Sequence, residues 1–70
     1  MTVKDYRLSL SWSVSELARR AKLSNKTVSR IEDGEPAYDY TVAAIARALS
    51  EALGKTITIY DLEGVNIINS

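Results

Sequence analysis

The chain has no cysteine and no histidine among its 70 residues. Disulfides, thiol chemistry, Cys/His zinc sites and a Ser-His-Asp relay are therefore excluded. There is no apolar run long enough to span a bilayer. The start lacks the basic-then-apolar order of a secretory signal, so the cytoplasm is the expected location and no membrane is an expected partner. Repeats, low-complexity tracts and linker-like stretches are missing too. Net charge is lacking as well: nine Lys and Arg offset nine Asp and Glu, whereas nucleic-acid-binding domains are commonly basic. The carboxylates Glu16, Glu32 and Asp33 have no histidine, cysteine or phosphate-cradling glycine loop around them, so neither an enzyme nor a cofactor or metal site is expected.

What is present fits one small folded domain. Seventy residues allow a modest core, and 46% hydrophobic with 26% charged residues is an ordinary soluble composition. The zero net charge also hides a polarity. Residues 1–34 hold seven cations against four carboxylates, a net of +3, and residues 35–70 hold two against five, a net of −3. The positive half coincides with the most structured stretch of the sequence.

That stretch, residues 13–34, reads as two short helices joined by a tight turn. Ser13 is a good N-cap and Glu16 three places on completes a capping box, so a helix begins at Val14, with Leu17, Ala18 and Ala21 on its apolar face. Ser24 caps a second helix, residues 25–33, whose apolar positions are Val28 and Ile31, and Gly34 closes it. Asn25, Lys26, Ser29 and Arg30 are then free to face outwards. Such side chains near a helix N-terminus suit a nucleic acid, although any amphipathic helix has a polar face and a merely solvated one is the plain alternative.

These residues resemble the helix-turn-helix of the lambda repressor and Cro type, the Xre-like regulators. The family pattern of Leu-Ala, a short turn, Ser or Thr, Ile or Val, and Glu before Gly is met by Leu17, Ala18, Ser24, Val28, Ile31, Glu32 and Gly34. Arg7 and Leu49 match the family outside the motif, so the resemblance covers roughly residues 3–63. It implies an all-α fold, a compact bundle of about five short helices around a central helix-turn-helix, with residues 1–64 as the DNA-binding domain and 65–70 as a tail able to form a dimer. It also implies double-stranded DNA as partner, bound as a homodimer, by a repressor or Cro-like switch of a phage or mobile element. Asn25, Lys26, Ser29 and Arg30 become the expected base contacts. Arg19, Arg20, Lys22, Ser24, Thr27 and Tyr38 become backbone contacts, with Val14 contributing its helix-terminal N–H.

Two departures stand out. Val14 occupies the place where the family often has a glutamine that binds phosphate and braces the base-reading side chains. Lys22 occupies a turn position usually held by glycine, where a left-handed backbone would be strained. Arg7 is either a phosphate contact or the ion-pair partner of Glu32, and the resemblance favours the pair.

Elsewhere the sequence is plainer. Thr2 and Asp5 cap a first helix reaching to about Ser11, with Val3, Tyr6, Leu8 and Leu10 as its apolar surface, and Trp12 serves as a hydrophobic staple on Leu17. Residues 35–40 read as a loop, stopped by Pro36, with Asp39 able to cap the next helix. Its Glu35 and Asp39 repel phosphate, and its tyrosines, Tyr38 and Tyr40, either touch DNA or pack on that helix. Residues 41–53 are the clearest helix, with Val42, Ile45, Ala46, Leu49 and Leu53 on one face and Gly54 at its end. Residues 55–64 suit a strand by the alternation of Ile57 and Ile59, or a short fifth helix over 59–63 by the Thr58–Asp61 cap. The helix is preferred. Val65, Ile67 and Ile68 either pack back on the domain or meet a second subunit. The acidic loop and apolar tail also leave open a protein-interaction module of the same fold, such as an antitoxin or anti-repressor.

Overall fold

The computed structural model describes residues 1–68; the last two residues of the expected tail lie outside the described residues. Four helices follow in order: α1 Val3–Ser9, α2 Val14–Ala21, α3 Asn25–Glu32 and α4 Asp39–Leu53. A short strand, β1 Pro36–Tyr38, separates α3 from α4. A 3₁₀ turn, Ile59–Asp61, and a second strand, β2 Asn66–Ile68, come after α4.

Side-chain caps set the starts of the first three helices. Thr2 Oγ1 accepts the Asp5 N–H at 3.1 Å while the Asp5 carboxylate accepts the Thr2 N–H at 3.0 Å. Ser13 and Ser24 accept from the N–H groups of Glu16 and Thr27, each satisfying a donor that the first turn leaves without a helical partner. At Ser13 only half of the expected capping box forms, because the Glu16 carboxylate runs along the helix to Arg19 and Arg20 instead.

The same three helices share one kind of ending. Ser11 (φ 58°), Lys22 (φ 59°) and Gly34 (φ 85°) turn left-handed. The next N–H groups, of Trp12, Leu23 and Glu35, then reach back to the carbonyls of Arg7, Ala18 and Arg30 at 3.1, 2.8 and 3.0 Å. This is the Schellman pattern, and it satisfies carbonyls the helix cannot. Only the third is glycine, so Ser11 and Lys22 each hold a conformation that costs an L-residue roughly 1 kcal/mol.

Leu17, Ala18 and Ala21 of α2, Val28 and Ile31 of α3, and Val42, Ile45, Ala46, Ala48 and Leu49 of α4 form one core with Val3 and Tyr6 of α1, completed by Ile57 and Leu62. Trp12 and Val14 are half-buried against it. Leu8, expected on the apolar face of the first helix, is exposed. Positions 3, 6, 7 and 10 share the inward face at helical spacing, so the buried residue of that turn is Arg7. The helix itself stops at Ser9, two residues short of expectation, where left-handed Ser11 begins the turn.

Beyond the motif three expectations change. The fourth helix begins at Asp39 rather than 41, so Asp39 lies inside it and Tyr38 takes the N-cap position without a side-chain capping bond. The loop over 35–40 contains β1, which pairs in parallel with β2 in the register Pro36↔Asn66, Ala37↔Ile67, Tyr38↔Ile68. The fold is therefore mostly helical with a two-stranded sheet added, and Val65 and Ile67 of the tail pack back on the core. The fifth helix is only the 3₁₀ turn. Leu62 goes extended (φ −93°, ψ 110°) and is buried, and Glu63 then bridges to Thr2. The Thr58–Asp61 cap does form, the Thr58 N–H donating to the Asp61 carboxylate at 2.9 Å. Ser50 anchors this segment to α4: its hydroxyl accepts the Ile57 N–H at 2.8 Å and donates to the Ala46 carbonyl at 2.7 Å.

Candidate nucleic-acid interface

Only Lys22, Leu23 and Ser24 separate α2 from α3. Left-handed Lys22 reverses the chain, Leu23 packs against the core and Ser24 caps α3. Val28 and Ile31, 0% and 2% exposed, fix the inward face of α3, and Asn25, Lys26, Ser29 and Arg30 are all exposed. Lys26 and Arg30, four residues apart, lie on one stripe of the helix. Among the described residues Lys26, Ser29 and Arg30 make no side-chain hydrogen bond or ion pair.

Asn25 behaves differently. Its amide Nδ2 donates to Ser15 Oγ of α2 at 2.7 Å, joining the N-terminal turns of the two helices. Ser24 and Thr27 are also engaged, their hydroxyls 2.8 Å apart at the start of α3. Val14 is the first residue of α2 and is half-buried.

The cations of α1 and α2 divide sharply. Arg7 donates Nε and Nη2 to the two carboxylate oxygens of Glu32 at 2.7 and 3.0 Å, and Nη1 to the Trp12 carbonyl at 2.9 Å. The hydrogen bond to Glu32 raises the Arg7 pKa further above its ordinary value. Arg19 and Arg20 both pair with one oxygen of Glu16, Arg20 at 2.7 Å. These bonds, from Arg19 first and then Arg20, hold the Glu16 carboxyl below its ordinary pKa. The Arg20 guanidinium also lies 4.5 Å above the Trp12 ring. Every arginine before α3 thus has a carboxylate partner. On the motif that leaves Lys22, Lys26 and Arg30 without an ion pair.

Thr27, Arg30 and Tyr38 border one shallow groove between α3, β1 and the start of α4, floored by Ile31 and Ala37. The Tyr38 and Tyr40 rings stack on each other, centroids 5.2 Å apart and planes 7° apart, and remain 48% and 62% exposed. Glu35, the residue before β1, is exposed.

Two helices joined by a three-residue turn that left-handed Lys22 begins, with a Schellman end at Gly34 and an Arg–Glu brace behind, make a helix-turn-helix unit. A family model described as helix-turn-helix matches residues 3–60. The chain belongs to that family. It is a helix-turn-helix domain of the Xre/Cro type, a family of DNA-binding regulators. Neither the curated proteins nor the solved structures contain a match to the chain. Among the described residues no helix of this helix-turn-helix domain is long and apolar enough to cross a membrane.

Within the helix-turn-helix frame one residue escaped the reading of the sequence. Ser15, the second residue of α2, supplies the partner of Asn25, next to the position where Val14 departs from the family pattern. The available signal was a small hydroxyl residue in the first turn of α2 beside an amide in the first turn of α3. Turning it into a contact requires knowing how the two helix starts meet.

Proposed function

We propose that this helix-turn-helix domain is a sequence-specific transcriptional regulator of the repressor or Cro-switch kind, with α3 lying in the major groove. The observation that carries the reading is the selective pairing of cations: the arginines of α1 and α2 are held by glutamates, while Lys26 and Arg30 are left unpaired on the exposed stripe of α3. Asn25 and Lys26 read base edges, an amide suiting adenine and an ammonium suiting guanine, and Ser29 and Arg30 assist. Lys22, the N–H groups at the start of α2, and the Ser24, Thr27 and Tyr38 hydroxyls meet phosphates. Arg19 and Arg20 reach phosphate only by giving up Glu16. A single short helix reads few bases, so the protein binds as a dimer on half-sites about one helical turn apart.

The test is selection of bound duplexes from a random library with the wild type and with Lys26→Ala. The expected outcome is a two-fold consensus in which the variant loses preference at one position of each half-site. An unchanged preference removes Lys26 from the reading set.

A second reading has its own support. Tyr60, Tyr40 and Ile68 are 88%, 62% and 42% exposed, and Tyr40 lines a hollow together with Asp39, Ala43 and Ile59. An apolar surface of this kind, with the acidic second half, suits a basic protein partner, as for an antitoxin or anti-repressor. Co-purification of a stoichiometric basic protein favours it; a homodimer with nanomolar affinity for a selected duplex counts against it.

A further inference from the structure

We infer that the cleft between the C-terminal end of α2 and one face of α4 is a binding site for a small phosphate-bearing anion. The inference goes beyond DNA reading, since no residue of α3 lines this cleft.

The cleft has a volume of about 240 Å³. Ala44, Arg47, Ala48 and Glu51 fall at three-four spacing on α4, so they form one stripe, and Arg20, Ala21 and Lys22 of the α2 end border the same space. The space exists because three of these positions are alanine. A longer apolar side chain at any of them would fill it. The volume is below that of pockets for drug-sized ligands and suits a small ion or the phosphate end of a small molecule.

The charge around the cleft is mostly of one sign. Arg20, Lys22 and Arg47 face a single carboxylate, Glu51. Lys22, Arg47 and Glu51 make no ion pair or side-chain hydrogen bond among the described residues. The α2 C-terminus contributes partial negative charge, but the N–H groups of Lys22 and Leu23 already hold the carbonyls of Arg19 and Ala18 there. Three cations therefore outweigh what opposes an anion.

Arg20 is the pre-arranged member of the set. Glu16 accepts its Nε–H at 2.7 Å and the Trp12 ring lies 4.5 Å beneath its guanidinium, while its two Nη groups make no hydrogen bond among the described residues. A guanidinium braced in this way has already lost much of its rotamer freedom, so presenting the Nη pair to two phosphate oxygens costs little more. Lys22 leaves the turn from a left-handed backbone, φ 59° and ψ 43°, and supplies a point charge beside that fork. Arg47 donates from the α4 wall. A phosphate offers oxygens in several directions and can meet both walls together. Lys22 also stands among the proposed phosphate contacts to DNA; Arg47 belongs to the cleft alone and carries the test.

The experiment titrates the labelled protein with inorganic phosphate against chloride at equal ionic strength, following by NMR the amides of Ala21, Ala44 and Ala48 and the arginine Nε–H groups. Saturable shifts confined to the cleft are expected. Arg47→Ala weakens binding about tenfold, the low end for a hydrogen bond to a charged group. Glu51→Gln tightens it by up to about fivefold, the range for an exposed charge pair. Ala44→Leu keeps every charge, fills the space and abolishes binding.

Shifts that do not saturate, shifts spread over all the cations of the surface, or an affinity unchanged by Arg47→Ala overturn the inference. A second arm measures binding of Arg47→Ala to a scrambled duplex across a salt series, where the wild-type slope is expected. A slope reduced by about one would make the cleft a contact for the DNA backbone and would also overturn it. Either failure leaves the reading of DNA by α3 standing.

Discussion

Arg7 of α1 and Glu32 at the end of α3 form a two-pronged ion pair, Nε–Oε2 2.7 Å and Nη2–Oε1 3.0 Å, across 25 residues of sequence with each side chain only 9% exposed. The third guanidinium nitrogen holds the Trp12 carbonyl, so one side chain ties α1, the turn before α2 and the C-terminal end of α3 together. Removing either charge strands the other in a site with little water. Arg7→Ala and Glu32→Ala should each destabilise the domain by roughly 3 kcal/mol or more, read as the shift of the urea midpoint. For a domain this small that is much of its stability. A loss below about 1 kcal/mol would mean that water re-solvates the surviving partner.

Glu16 occupies both Arg19 and Arg20. Glu16→Gln should therefore increase affinity for nonsequence-specific DNA and steepen the dependence of log K on log salt by about one for each arginine that gains a phosphate contact. Fluorescence anisotropy with a scrambled duplex across a salt series measures it. An unchanged slope would place both arginines out of reach of the backbone.

Lys22 is left-handed and bears an unpaired charge, so its two roles separate. Lys22→Gly should raise stability by up to about 1 kcal/mol, since relief of left-handed strain exceeds the extra entropy of the unfolded glycine. It should at the same time lower DNA affinity and reduce the salt slope by about one. Lys22→Ala keeps the strain and should show only the DNA effect.

Asp5 and Asp61 are held below their ordinary pKa chiefly by the backbone N–H groups of Thr2 and Thr58, and Glu16 by Arg19 and then Arg20. A carboxyl depressed in the folded state contributes stability above its unfolded pKa and loses it as pH falls through the folded value. The melting temperature should thus be flat from pH 7 to about 5 and decline below about 4. Asp5→Asn and Asp61→Asn should each shallow that decline. Salt should weaken only the part due to Glu16, whose partners are charged.

The sheet joins the segment after α3 to the tail. Ile67→Ala removes a half-buried contact of β2 beside Ala37 of β1, and hydrogen exchange should quicken at Ala37 and Tyr38 while Val28 and Ile31 stay protected. Equal loss of protection throughout would show that the sheet and the motif open as one unit.

The helices were legible because their signals are local. Serine or threonine caps, three-four apolar spacing and Gly34 act within one or two turns, and α2, α3 and most of α4 lie where these put them. The sheet was not legible: two strands of three residues, 30 apart in sequence, have no alternation long enough to read, and Pro36 argues for a loop. Glu16 was misassigned for a related reason. Its cap role and its ion-pair role use the same carboxylate, and sequence does not say which wins. The family resemblance covered most of the chain but pointed at Val14, whereas the residue that touches Asn25 is Ser15, a neighbour chosen by how two helix starts abut.

Whether α3 reads sequence is measured by the affinity ratio between a duplex selected from a random library and its scrambled counterpart, by anisotropy over a salt series. A sequence-reading α3 gives a ratio of roughly a thousandfold or more, the low end for specific regulators, with similar salt slopes for both duplexes because the phosphate contacts are shared. Equal affinity for the two duplexes, weak and steeply dependent on salt, would contradict it.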